Sequence, residues 1–171
     1  MKLFHVNIAR GLLSKFDVIR EHISENEIDI AGLTEVDLKV SEDSYPEING
    51  YDTVIHNNEH GISRIGLYIR NGIKYKTISR TELPGIVIRL NQMDILYLYS
   101  QFTASPYSVN RHYMTEKERT NILMDTLDWF DSIAKRNAMV FGDINCDWFL
   151  NSVSKRRIEV WAKDTKFKQI I

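Results

Sequence analysis

The sequence of 171 residues has one cysteine, three prolines and eight glycines. A lone Cys146 excludes an internal disulfide and a multi-cysteine zinc site. So little Gly and Pro excludes a collagen-like or low-complexity chain. No apolar run approaches the ~20 residues that a helix needs to cross a bilayer, and the first residues, Met1 to Asn7, lack the apolar stretch of a secretory signal. Neither sign of charge dominates: 22 basic residues face 23 acidic ones, for a net charge of −1. That balance argues against attraction of the whole protein to nucleic acid. An apolar content of 43% is too high for disorder. The expectation is a soluble α/β chain, intracellular (cytoplasmic or nuclear), with no membrane partner. It reads as a single domain over residues 1–171, a length that buries roughly 70% of its extended surface.

Charge is spread unevenly. Between Glu25 and Glu59 stand ten acidic residues and one basic residue, Lys39, whereas from Ser154 to Lys168 six basic residues face Glu159 and Asp164. An acidic stretch suits a cation and a basic one suits phosphates; both also suit solvated faces. Apolar spacing predicts a strand at Lys2–Asn7, a helix capped by Ser14, and a strand at Ile28–Thr34, together the size of a βαβ unit. Five short strands follow: 51–56, 65–70, 73–78, 86–90 and 94–100. Asn71-Gly72 reads as a hairpin turn and Asn91-Gln92 as the joint of the last pair. After a polar loop at 101–113, Thr115 and Glu118 form a capping box for a helix. A buried strand at Ala138–Phe141 and a basic helix near 155–166 complete the order. Periodicity alone supports α/β or α+β.

Polar residues stand directly after three of these strands: Asn7, Glu35, and Asp143 with Asn145 in Gly142-Asp143-Ile144-Asn145. Strand ends are rigid places to present side chains. An amide oxygen beside a carboxylate is hard-oxygen chemistry, suited to Mg²⁺ or Mn²⁺. On an extended segment Asp143 and Asn145 point the same way, so one can activate water while the other donates to a phosphoryl oxygen. Each also has an ordinary role: Asn7 bonding turn backbone, Glu35 opening a surface loop, Asp143 and Asn145 shaping an Asx-turn. Arg64 and Arg70 flank a strand, within reach of a phosphate or simply on a solvated edge. Trp148 and Phe149 suit either base stacking or burial, and Cys146 suits a small filler.

Taken in order, the segments Val6-Asn7-Ile8-Ala9-Arg10-Gly11-Leu12-Leu13-Ser14-Lys15, Ile28 to Glu35, Ile65 to Asn71, Leu98-Tyr99 and Phe141 to Asn145 resemble the endonuclease/exonuclease/phosphatase superfamily. Within it they are most similar to the apurinic-type endonuclease domain of non-LTR retrotransposons. The resemblance implies a four-layer α/β sandwich, two mainly antiparallel sheets with helices outside. It implies Glu35 as the principal metal carboxylate with Asn7 beside it, Tyr99 at the scissile phosphate, Asp143 on the attacking water and Asn145 at the phosphorus centre. The activity implied is Mg²⁺-dependent hydrolysis of a DNA phosphodiester, nicking target DNA to prime reverse transcription. A small-molecule phosphatase or phosphodiesterase, and a binding module with a vestigial site, are the competing readings.

The departures are as specific. The family's closing strands carry an Asp and then a Ser-Asp-His motif, and this sequence contains neither. Ala9 replaces an acidic or amide residue that some relatives carry two positions after the Asn. The five histidines (His5, His22, His56, His60, His112) all precede the Gly-Asp-x-Asn strand; of these, His56 and His60 fall in a loop near the presumed metal edge, where they either substitute or are simply solvated. The expectation is a C-terminally truncated fold, weak or absent activity for this chain alone, and completion of the sheet by a second chain or a missing C-terminal segment.

Overall fold

The computed structural model describes residues 1–9, 11–39, 45–56, 62–101, 115–135 and 137–168. In chain order the elements are β1 (Leu3–Asn7), α1 (Leu12–Glu25), β2 (Ile30–Lys39), β3 (Tyr51–Ile55), β4 (Ile62–Arg70), β5 (Lys76–Ser79), β6 (Gly85–Arg89), β7 (Met93–Tyr99), α2 (Glu116–Ile133), β8 (Asn137–Asp143) and α3 (Val153–Asp164). They form two compact units. Residues 1–99 and 135–143 make the first, residues 100–134 and 144–171 the second.

All eight strands belong to the first unit, in two four-stranded sheets ordered β1-β2-β4-β3 and β5-β6-β7-β8. Each sheet has one parallel pair, β1 with β2 and β7 with β8, and two antiparallel pairs. Both sheets are therefore mainly antiparallel. Alternation along β2 and β4 divides their side chains between two cores. Ile30, Ile65, Leu67 and Ile69 meet Ile86, Ile88, Ile95, Tyr97 and Tyr99 of the other sheet. Ala31, Leu33 and Tyr68 instead meet Leu12, Ile19 and Ile23 of α1. With period-two strands, a sheet buried on both faces must be apolar at nearly every position, and Ile30, Ala31 and Leu33 are each fully buried. The first unit is thus a helix on a sheet on a sheet. In the second unit, Thr120 and Ser154 share a 2.6 Å hydrogen bond and Arg157 donates to Asn121, tying α2 to α3.

Some local signals act in the fold as their spacing predicts and others do not. The capping box at Thr115 is complete: its hydroxyl accepts from Glu118 N at 3.2 Å while the Glu118 carboxylate accepts from Thr115 N at 2.7 Å. Ser14, in contrast, does not cap α1. The helix begins two residues earlier, behind Gly11 in the left-handed region (φ +73°), and the Ser14 hydroxyl donates to the Gly11 carbonyl. Asn71-Gly72 is a turn but not a hairpin, because β4 and β5 lie in different sheets. Turn chemistry reverses the chain; which strand pairs with which is set by the apolar faces on either side. The polar loop expected at 101–113 lies, beyond Gln101, outside the described residues.

Candidate active site

Parallel pairing puts the carboxyl ends of β1 and β2 side by side, with Asn7 opposite Thr34, and those of β7 and β8 likewise, with Tyr99 opposite Asp143. Strand ends of this kind are where open α/β sheets hold ligands. Glu35 follows Thr34, but β2 does not stop there. A bulge between Thr34 and Leu38 shifts the register against β4, and within it Glu35 (φ +55°) and Asp37 (φ +49°) are both left-handed. Non-glycine residues rarely adopt this region, and such strain gathers where a side chain must be aimed. Bulges re-aim side chains in the same way.

Four of the expected residues converge. Asn7 Nδ2 donates to Glu35 Oε1 at 3.1 Å and to Asp143 Oδ2 at 2.9 Å, so one amide bridges two carboxylates 108 positions apart in the chain. Asn7 Oδ1 accepts from Ala9 N at 2.8 Å, with Ala9 held at φ +49°. Tyr99 donates its phenolic proton to Glu35 Oε1 at 3.0 Å. Arg64 Nη2 in turn donates to the Tyr99 oxygen at 3.0 Å, with the guanidinium 4.9 Å from the ring centroid. Burial pushes the Tyr99 phenol far up; Arg64 opposes that and Glu35 adds to it. The phenol is therefore a neutral donor.

Behind Arg64 lies Asp37, a residue not singled out in the sequence. Its carboxylate is 2.7 Å from Arg64 Nε, and the two side chains are only 7% and 13% exposed. The contact is one of charge rather than an aligned hydrogen bond. The signal available was the Glu-x-Asp spacing, which on an ordinary strand would put both on one face. A second layer sits beneath the site: Tyr97 shares a 2.8 Å hydrogen bond with His5 Nδ1, and Phe141 packs against both rings. Burial lowers the His5 pKa, partly offset by Asp143. Gly32 makes room here, since a Cβ on it would fall on the Tyr97 ring.

No family model matches the chain, and no curated protein matches it in sequence. Solved structures do match. An AP endonuclease from Archaeoglobus fulgidus shares the fold at a TM-score of 0.63 and 16% identity, over 95% of this chain and 68% of its own. The endonuclease domain of TRAS1, a telomere-specific non-LTR retrotransposon, matches at 0.59 and 9% identity, over 94% and 70%. The 3′ phosphatase NExo from Neisseria, bound to a product DNA hairpin, matches at 0.61 and 13%, over 95% and 69%. This is the endonuclease/exonuclease/phosphatase fold. The chain spans about two-thirds of the length of each of these structures.

Within the endonuclease/exonuclease/phosphatase fold, Arg70 and His56 lie elsewhere. Arg70 is at the far end of β4 from Arg64, six residues or roughly 20 Å along the strand, where it pairs with Asp29. His56 is buried and bonded through Nε2 to the Arg80 carbonyl at 3.0 Å, so it does not stand in for a catalytic histidine; His60 and His112 lie outside the described residues. Asn145 belongs to the second unit, where its Nδ2 donates to the Ser100 carbonyl at 2.7 Å. Its φ of +49° removes the premise of an extended Asp143–Asn145 segment. Cys146 is half-buried beside Ser152, and burial raises its thiol pKa, as suits a filler.

The donor set fits a hard divalent cation. Glu35 and Asp143 offer carboxylate oxygens, and Asn7 turns its amide nitrogen to them and its amide oxygen to Ala9 N. Among the described residues no group of three or more His, Cys, Asp or Glu side chains forms a metal cluster. Mg²⁺ commonly takes one or two carboxylates and keeps several waters, whereas zinc takes imidazole and thiolate. No helix among the described residues is long and apolar enough to cross a membrane.

Proposed function

We propose that the chain hydrolyses phosphodiester bonds in nucleic acid, as a metal-dependent endonuclease that nicks DNA. The observation that carries this reading is the bridge from Asn7 to both Glu35 and Asp143, with Tyr99 bonded to the same Glu35 oxygen. Carboxylates brought this close repel one another unless a donor or cation lies between them. A cluster so arranged favours a role at a phosphate and a cation over the ordinary roles of its members.

Glu35, with Asn7 beside it, would hold Mg²⁺ or Mn²⁺. That ion would supply charge neutralisation on the phosphate and on the leaving oxygen. Asp143 accepts the proton of the water that attacks phosphorus, so a P–O bond forms to that water as the ester P–O bond breaks. Tyr99 is a neutral donor at the rim, suited to an oxygen on which charge develops. Arg64 keeps the Tyr99 oxygen supplied with a donor, so the phenol's single proton stays directed to Glu35. The retroelement branch rests on the motif order and on the TRAS1 match. The match to a 3′ phosphatase favours one rival, removal of a terminal phosphate.

The test is nicking of supercoiled plasmid with Mg²⁺, with Mn²⁺ and with EDTA, beside release of phosphate from a 3′-phosphorylated hairpin. Metal-dependent nicking that falls at least ~10²-fold in both Glu35→Ala and Asp143→Ala supports the reading. Nicking unchanged in those variants refutes it, and phosphate release without nicking selects the rival. Asn145→Ala, run alongside, tests the amide role that the resemblance assigns to that residue.

A further inference from the structure

The second unit carries an aromatic ring that the proposed hydrolysis does not use. Phe149 is 99% exposed, and Leu150 and Val153 beside it are 61% and 46% exposed. A phenylalanine wholly in water is unusual, and contiguous exposed apolar groups mark interaction sites. The backbone that presents it is nonetheless firmly held. Phe149 N donates to the Asp147 carboxylate at 2.8 Å, Lys155 Nζ donates to the Trp148 carbonyl at 2.8 Å, and the Ser152 hydroxyl caps α3 by accepting from Lys155 N. Bonds on both sides of residue 149 therefore fix the stem of a ring that packs on nothing. Trp148, its neighbour, is half-buried, so the two aromatics divide between holding and presenting.

The nearest charge in the chain is Asp147, and six to eight residues on from the ring the chain turns basic at Lys155, Arg156 and Arg157. Arg156 and Arg157 are exposed in the first two turns of α3, within about 6 Å of Val153 along the helix axis, Arg157 also donating through Nη1 to Asn121. Charge over Ser154–Lys168 is six basic residues to two acidic. A partner must therefore offer an apolar face with negative charge a few ångströms away. Unpaired polynucleotide has that chemistry: every base has a π-face, and the phosphates follow at short intervals.

We propose that Phe149 is a stacking platform for an unpaired nucleobase, with Arg156 and Arg157 at the adjoining phosphates of the same strand. Stacking is tolerant of sequence and needs no metal, so this site binds independently of hydrolysis. Its success or failure is therefore separate from that of the proposed nuclease activity.

Fluorescence anisotropy tests it, with the whole chain in EDTA at low salt, labelled oligo(dT) and oligo(rU) of about 12 nucleotides, and a fully paired duplex as control. Phe149→Ala should weaken binding of the single strands about 5- to 150-fold, Phe149→Leu should weaken it similarly, and Phe149→Trp should retain it. Equal losses with dT and rU indicate a platform blind to the sugar, and a loss confined to one names the strand it serves. Arg156→Gln with Arg157→Gln should flatten the salt dependence by about 0.7 log units per log of salt for each lost phosphate contact. Since Phe149 packs on nothing, its variants should keep the wild-type circular dichroism. Absence of single-strand binding by the wild type overturns the proposal, as does Phe149→Ala or Phe149→Leu binding within twofold of wild type. A dimer in sedimentation that Phe149→Ala abolishes without changing oligonucleotide affinity would make the occupant a second copy of this chain, and would overturn it too.

Discussion

Asp37 offers the sharpest test of how the site is held. Its carboxylate and Arg64 are 2.7 Å apart and nearly excluded from water. At an effective dielectric of 20 their gross attraction is roughly 6 kcal/mol, most of it offset by desolvation. Removing one partner does not return that offset, and typically costs 3–5 kcal/mol because the other charge is stranded. Asp37→Asn is the apt change: asparagine is nearly the same size and tolerates the φ of +49° that the bulge imposes. The Tyr99 ring and hydroxyl still receive the guanidinium, so the lower end of the range applies, about 3 kcal/mol. For a chain of this size that corresponds to a fall in Tm of roughly 6–12 °C. Urea denaturation followed by circular dichroism measures it, with Arg64→Gln and the double variant closing a cycle. The double variant should be more stable than the sum of the single losses by at least ~1 kcal/mol. A loss in Asp37→Asn below ~0.5 kcal/mol, or strict additivity, would refute the account of a buried pair bracing Tyr99.

Three further outcomes are expected. Burial alone would raise the Asp94 pKa, but hydrogen bonds from Arg89 and from Lys135 N outweigh it and hold the carboxyl below its ordinary value. Its contribution to stability is therefore complete above about pH 4 and is lost as pH falls through the lower folded value; urea midpoints between pH 2 and 6 should decline less steeply in Asp94→Asn. Gly142 has φ +133°, and a Cβ there would fall on the Leu98 carbonyl oxygen, so Gly142→Ala should destabilise the fold by about 2 kcal/mol or more and shift Asp143, seen as lost hydrolysis along with a lowered Tm. Thr115→Ala breaks the capping box of α2 and should cost about 1 kcal/mol in chemical denaturation; a change within experimental error would mean that this helix end is frayed in solution.

The sequence by itself determined the elements and the residue types at their ends. Period-two apolar runs, a complete capping box and polar residues at the carboxyl ends of β1 and β8 depend on neighbours within a few positions, and such neighbours are visible in a linear string. Asn7, Glu35 and Asp143 could be named for that reason, and Tyr99 only through the family resemblance. Tertiary structure alone decided which distant partners they meet. Arg64 and Arg70 are alike as letters, yet the strand that carries both delivers one to Tyr99 and the other to Asp29. His56 was a plausible ligand until folding buried it against Arg80. Asp37 drew no notice because a regular strand gives no cause to look there; the bulge that turns it to Arg64 arises from pairing with β4, a segment some thirty positions away. Long-range register and burial are sums over the whole chain, and no local window contains them.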